Sequence, residues 1–372
     1  MAQVRGSRMD RGTQRPSLPD AGPDDRPAGL RLFDPFGRSH LGGASGRGRE
    51  RDRVSASGVG GVSMIASKPH PMSGVDSLTP AEVAGLVEQR GVAKAKASIQ
   101  TTFILGVLAG AFIALGALFS TVVATGSPLG YGPTRLLAGL AFSLGLILVV
   151  VGGAELFTGN NLITMSWVSR HISLARLLRN WGIVYVGNLV GALSIVVMLF
   201  FADWWRQADS ALGGTALSIA VAKASLPFTV VVVRGVLANA LVCLAVWLAT
   251  AGRTVTDKVL AIVFPITAFV AAGFEHSIAN MYFLPMGLAL RDQPSVVRAS
   301  GLPARELAHL DVTATIGNIA AATLGNVIGG ALLVGVVYWF VYLRPMLHAR
   351  VEGDGRIAGA PVDDGRGPST EA

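Results

Sequence analysis

The sequence predicts an all-helical membrane protein of six spans whose second and fifth spans are interrupted, and three observations carry that prediction. The chain is 51% hydrophobic and only 15% charged, with positive mean hydropathy, which is too apolar for an ordinary soluble domain. Charge is unevenly spread: residues 1–72 and 344–372 hold much of the Arg and Asp, while long internal runs hold none. Two of those runs exceed the length that a bilayer needs, and each carries glycine and polar residues near its middle.

The net charge of +8 therefore describes tails and loops. A nucleic-acid surface is not expected, because the Arg residues of the first tail alternate with Asp, Gly and Pro and have no aromatic platform beside them. Cys243 is the single cysteine and lies in an apolar run, so no intrachain disulfide and no cysteine-based metal site can form. No cofactor and no metal are expected.

In chain order, residues 1–72 are rich in Arg, Gly, Pro, Ser and Asp and are predicted to be disordered, since they cannot bury enough apolar area to offset chain entropy. Met64 and Met72 both precede the first organised segment, and a start at either would leave that segment intact. Residues 76–98 predict an amphipathic cytoplasmic helix. Thr79 at the N-cap, Pro80 at N1 and Glu82 at N3 form a capping box ahead of Val83, Leu86 and Val87. Its apolar stripe is read as packing against the bundle in preference to a mobile gate.

The apolar region 99–343 then divides into runs at 99–125, 134–169, 177–202, 224–250, 257–291 and 311–343. Nothing before residue 99 resembles a cleavable signal, so the first span is expected to direct insertion with the N-terminus cytoplasmic. Six crossings return the C-terminus to the same side. Basic flanks agree, with Arg170, Arg176, Arg179, Arg253, Lys258, Arg344 and Arg350 on the cytoplasmic side against Arg135, Arg206, Lys223, Arg298 and Arg305 opposite. Unbroken, residues 136–165 and 259–290 would each make a helix of about 45 Å at about 1.5 Å per residue, against a hydrocarbon core of about 30 Å. A break in each is the simpler account than tilt.

The two breaks match each other. "GAELFTGN" begins at Gly153 and "GFEHSIAN" at Gly273, both reading G-x-E-x-x-x-small-N, and the spans that follow share G-N-x-x-G in "VGNLVGAL" and "LGNVIGGAL". Two units of three spans enter a membrane in opposite directions, so the halves are expected to form an inverted repeat whose broken helices meet near the midplane. Polar residues at such a break mark a pathway. Glu155 and Glu275 are read as caps of the half-helices that follow, because an acidic lining would oppose an anion. Asn280 closes the second motif. His276 stands where the first half has Leu156, so the repeat differs at a side chain able to titrate near neutral pH, which favours function over a satisfied core position. Arg234 must pair with a carboxylate such as Glu155 or Glu275, or face water or a subunit boundary.

The blocks "GAELFTGN", "GNLVGAL", "LVCLAVW", "GFEHSIANMYFLPMGL" and "TLGNVIGGALLVGVVYW", in that order, resemble the formate/nitrite transporter family over about residues 76 to 344. The resemblance implies an aquaporin-like six-helix protomer, a homopentamer with one pore per subunit, and passage of small monovalent anions across the bacterial cytoplasmic membrane. It places the apolar constrictions at Phe142, Leu146, Leu156, Phe157, Val242 and Phe269, around a chamber that holds His276. It puts Thr158 beside the histidine, Asn239 on the neighbouring fourth span and Lys223 at the outer entrance, where a free ammonium would concentrate anions. Formate is the expected cargo, carried as a weak acid with the histidine's help, and nitrite or hydrosulfide is the alternative. A neutral-solute pore is disfavoured, since Asn280 is not followed by Pro-Ala. An intramembrane enzyme is not expected, because H-E-x-x-H, G-x-S-x-G and a cysteine pair are all missing.

Overall fold

The computed structural model describes residues 76–346. The tail of residues 1–72 and most of the 344–372 tail, Arg350 included, lie outside the described residues.

Helix α1, Pro80–Lys96, begins on the predicted capping box: Thr79 Oγ1 accepts from the Glu82 backbone, and the Glu82 carboxylate accepts from the Thr79 backbone at 2.8 Å. Its Val83, Ala84 and Val87 pack with Met165, Trp247 and Val334, so the apolar stripe is buried against the bundle. Helix α2 spans Ile99–Ala124 behind a Ser98 cap, and α3 spans Tyr131–Gly152. Then come the short α4, Phe157–Asn160, a 3₁₀ turn at Asn161–Ile163 and α5, Thr164–Val168. Helix α6 is Leu174–Phe201, α7 Ala211–Ala224, α8 Phe228–Ala251, α9 Val255–Ala271 and α10 Ser277–Leu290. Two short helices, α11 at Pro294–Ser300 and α12 at Ala304–Leu307, precede α13, Val312–Val327, which continues in π-type turns through Ile328–Val336 and Trp339–Leu343.

Among the described residues five helices are long and apolar enough to cross a membrane: α2, α3, α6, α8 and the combined Val312–Met346. Apolar side chains such as Ile104, Leu108, Phe119, Val197, Phe264 and Phe340 are exposed while Asn160, Asn188, Asn239, Asn280 and Asn326 are buried, the inverse of a water-soluble protein. Helix α7 was not expected. Its Leu212, Leu217, Ala220 and Val221 are buried, a helical spacing visible in the sequence but too short to register as a span.

Helix α2 packs on α3 and α6, as α8 packs on α9 and α13. The close approach comes from the G-N-x-x-G glycines. A methyl at Gly191 would overlap the carbonyl oxygen of Val107, and one at Gly329 that of Val236. Both obstacles are backbone, which cannot move without opening the helix pair. Gly191→Ala is expected to destabilise the fold by about 3 kcal/mol or more, beyond the usual range for an added methylene. A melting curve of the detergent-solubilised protein checks this, and a shift no greater than that of Gly182→Ala, where space is open, would refute it.

Candidate functional site

Two chain reversals organise the site. Helix α3 closes on Gly153 at φ 80°, and α9 runs out just before Gly273 at φ 74°, a left-handed conformation that glycine adopts at little cost. The extended residues that follow are held in equivalent ways. Glu155 donates its N–H to Leu105 O at 3.1 Å, and Glu275 donates to Arg234 O at 3.4 Å. One asparagine then satisfies each reversal. Asn188 Nδ2 donates to Gly106 O (2.7 Å) and Glu155 O (2.9 Å), and its Oδ1 accepts from Phe157 N (2.9 Å). Asn326 Nδ2 donates to Gly235 O (2.8 Å) and Glu275 O (3.0 Å), and its Oδ1 accepts from Ser277 N (2.8 Å). Backbone freed from helix is thus paired by neighbouring backbone and by these two asparagine side chains.

A second set of contacts surrounds each acidic residue. Asn160 donates to Glu155 Oε2 (2.7 Å) and Asn180 Oδ1 (3.0 Å), and Asn280 donates to Glu275 Oε2 and Asn318 Oδ1 (both 2.7 Å). A lysine completes each: Lys94 Nζ lies 3.1 Å from Glu155 Oε1, and Lys223 Nζ lies 2.9 and 3.0 Å from the two oxygens of Glu275. Asn180 and Asn318 reach back to the carbonyls of Lys94 and Lys223.

These bonds correct two expectations. Glu155 and Glu275 do not cap the following helices. The N-cap of α4 is Leu156, with no side-chain bond, and that of α10 is His276, whose Nδ1 accepts from Ala279 N at 3.1 Å. The carboxylates are already committed to a lysine and an asparagine, which together engage both oxygens of each. Nor is Lys223 a free ammonium at the entrance, because its side chain is 17% exposed and tied to a Glu275 side chain only 3% exposed. The pair carries no net charge.

At the centre, His276 Nε2 lies 3.0 Å from Thr158 Oγ1, and both residues are buried. Since Nδ1 already accepts a backbone N–H, an uncharged ring carries its hydrogen on Nε2 and donates it to the threonine. Phe269 stacks on the imidazole (5.9 Å between centroids), and Phe142 meets Phe269 edge-on at 5.5 Å.

Two cavities lie toward opposite ends of α3, and His276 lines the smaller one. One of about 90 Å³ is lined by Phe142, Phe269, His276, Asn280, Lys223 and Arg135. The other, of about 290 Å³, is lined by Leu146, Leu156, Gly153, Glu155, Lys94 and Lys258. Phe142 and Leu146 are one helical turn, about 6 Å, apart along α3, so the two linings come within a turn of each other on that helix. Phe157 and Val242 line neither cavity. The Phe157 ring packs on Tyr185 (5.0 Å) and Trp181 (6.0 Å) of α6, and Val242 belongs to the core. Asn239 is internal too. It donates to Asn161 Oδ1 and Asn326 O, both at 2.7 Å, and so joins α8 to the first reversal and to α13.

Arg234 is half-buried, and its expected partners Glu155 and Glu275 are taken by lysines. Its side chain has no carboxylate partner among the described residues. Sequence reasoning gave no site role to Lys94, Asn160, Asn180, Asn188, Asn318, Asn326 or Arg135. A signal existed for several of them: "LGVLAG" (105–110) matches "RGVLAN" (234–239), and Asn180 and Asn318 each begin the same N-x₆-G-N-x-x-G spacing.

A family profile described as formate/nitrite transporter matches residues 81–340. Over 277 residues, covering 73% of this chain and 97% of the relative, the chain is 43% identical to the formate channel FocA of Escherichia coli strain K12. It is 39% identical to formate channel FocA of Haemophilus influenzae over 278 residues, 73% of this chain and 97% of that one. Among solved structures it is similar to a pentameric formate channel with formate bound. There the TM-score is 0.60 at 38% identity, and the match covers 66% of this chain and 98% of the other.

Proposed function

The chain belongs to the formate/nitrite transporter family and is an integral membrane protein, and from that premise we propose that it is a channel for small monovalent weak-acid anions, with formate as the preferred cargo. The observation that carries this reading is the buried Thr158–His276 pair: His276 lines one cavity with Phe142 and Phe269, and Leu156 and Gly159, close to Thr158 in the chain, line the other with Leu146. The protomer crosses the membrane six times in this reading, with the second and fifth crossings interrupted at Gly153 and Gly273. The two halves are inverted repeats, and both termini are cytoplasmic. The relative's title describes a pentamer, and the exposed apolar faces of α2, α6, α8 and α13 are compatible with a homopentamer embedded in the bacterial cytoplasmic membrane.

The mechanism follows from desolvation. An anion that passes among these apolar side chains loses its water, at a cost far above what a single hydrogen bond returns. His276 Nε2–H donates to Thr158, and the Thr158 hydroxyl hydrogen is then free to donate to the ion. Rotation of the Thr158 side chain about Cα–Cβ carries its oxygen away and lets the ion replace threonine as the acceptor of the imidazole hydrogen. The N-terminus of α10, which begins at Ser277, adds partial positive charge at the same level. A weak acid has a second route, since a carboxylate that gains a proton crosses apolar walls as a neutral molecule.

Formate uptake into proteoliposomes tests the proposal, with nitrite and hydrosulfide as competitors and glycerol swelling as the neutral-solute control. We expect saturable formate uptake that rises as pH falls, and a loss of about tenfold or more at neutral pH in His276→Ala, equivalent to about 1.4 kcal/mol on the barrier. Identical formate uptake by parent and variant at every pH would remove the histidine from the mechanism. Glycerol flux without formate flux would remove the anion reading itself.

A further inference from the structure

We infer that Arg135 is the residue that draws anions into the His276-side cavity, in place of the Lys223 ammonium. The inference rests on the anion-channel reading. Two basic side chains, Arg135 and Lys223, line this cavity together with His276. Lys223 is cancelled by Glu275 through both carboxylate oxygens, and the pair sits in its own bonded network with Asn280 and Asn318. An ion in the cavity therefore meets a dipole there.

Arg135 is different. It sits in the first turns of α3, and its guanidinium donates from Nε to Ala271 O (3.3 Å) and from Nη2 to Val270 O. Those are carbonyls of the last turn of α9, at the reversal that leads through Gly273 to His276. No carboxylate lies within ion-pair distance of Arg135 among the described residues. The C-terminus of a helix offsets at most about half a unit charge, so a net positive charge faces the cavity. Two of the five guanidinium N–H groups are used, and the rest remain to meet an incoming anion.

Arg135 thus has two jobs that can be separated. Its fork satisfies carbonyls that the end of α9 leaves open, which is structural. Its charge raises the local anion population in a narrow, low-dielectric mouth, which is electrostatic and sensitive to salt. The Leu146-side cavity shows a different arrangement, where Lys94 is paired with Glu155 but Lys258 and Arg90 also line the wall. Capture on that side does not depend on one residue.

The experiment is formate uptake by the full-length protein in proteoliposomes, over a range of formate concentration and ionic strength, for the parent, Arg135→Gln and Arg135→Lys. At low salt and sub-saturating formate, Arg135→Gln is expected to lose roughly three- to tenfold in uptake and to lose most of its salt dependence, while uptake at saturating formate stays within about twofold of the parent. Arg135→Lys, which keeps the charge but not the fork, is expected to retain the parent's salt dependence. Arg135→Gln with the parent's salt dependence would overturn the inference, as would equal loss in both variants at every concentration, which marks a purely structural role. A parent that carries no anion would overturn the channel reading and this inference with it, and is distinguished by its own blank uptake.

Discussion

Lys223→Gln is expected to reduce formate uptake about a hundredfold, and adding Glu275→Gln to it is expected to restore a substantial part of that loss. The Glu275 side chain is 3% exposed and holds three hydrogen bonds, two from Lys223 Nζ and one from Asn280 Nδ2. Removing the ammonium leaves a buried carboxylate with one amide donor, a loss of about 3–5 kcal/mol when one partner of a buried pair is deleted. The same unpaired charge opposes the cargo. A negative charge about 6 Å from the ion costs about 3 kcal/mol at an effective dielectric of about 20, which is roughly two orders of magnitude in rate. In the double variant both charges are gone, and the two amides can hydrogen-bond each other and Asn280. Uptake measured at pH 7.5 decides the matter: parent-like flux in Lys223→Gln would mean that the ion never comes near Glu275. Failure of the double variant to recover would assign Lys223 a direct contact with the ion.

Asn326→Leu is expected to prevent accumulation of folded protein, although leucine has the same branching at Cγ and the same number of side-chain heavy atoms as asparagine. The single amide satisfies Gly235 O, Glu275 O and Ser277 N, all buried beneath the second reversal. Each group left unpaired in a dry environment costs about 1–3 kcal/mol, so three together reach the whole stability of an ordinary domain, about 5–15 kcal/mol. Asn188→Leu should fail in the same way, since Asn188 makes the matching three bonds beneath the first reversal. Size-exclusion chromatography and thermal melting in detergent provide the check. A monodisperse Asn326→Leu protein that melts within a few degrees of the parent would show that water or another donor fills the gap.

What sequence reasoning could reach depended on how far apart the interacting residues lie in the chain. The Thr79 capping box needed only the order of neighbours, because Thr79 and Glu82 are joined by one helical turn, and it formed as read. The repeated G-x-E motif pointed to Gly153 and Gly273, whose left-handed backbone needs glycine. It also drew attention to Glu155 and Glu275, but not to what holds them. Lys94 is 61 residues from Glu155, and Lys223 is 52 from Glu275. Without those partners in view a helix cap was the nearest available role for each acid. The same limit applied to Phe157, whose neighbours Trp181 and Tyr185 lie on another helix.

The apolar, helical, membrane-embedded character of this protein and its family were determined by the sequence alone. Hydropathy and short motifs are properties of consecutive residues, and lipid selects them without reference to the rest of the fold. Which charges remain free was decided only by tertiary structure. A lysine is an anion attractor or half of a neutral pair according to what packs against it, and the packing of α7 beside α10 cancels Lys223 while the end of α9 leaves Arg135 charged.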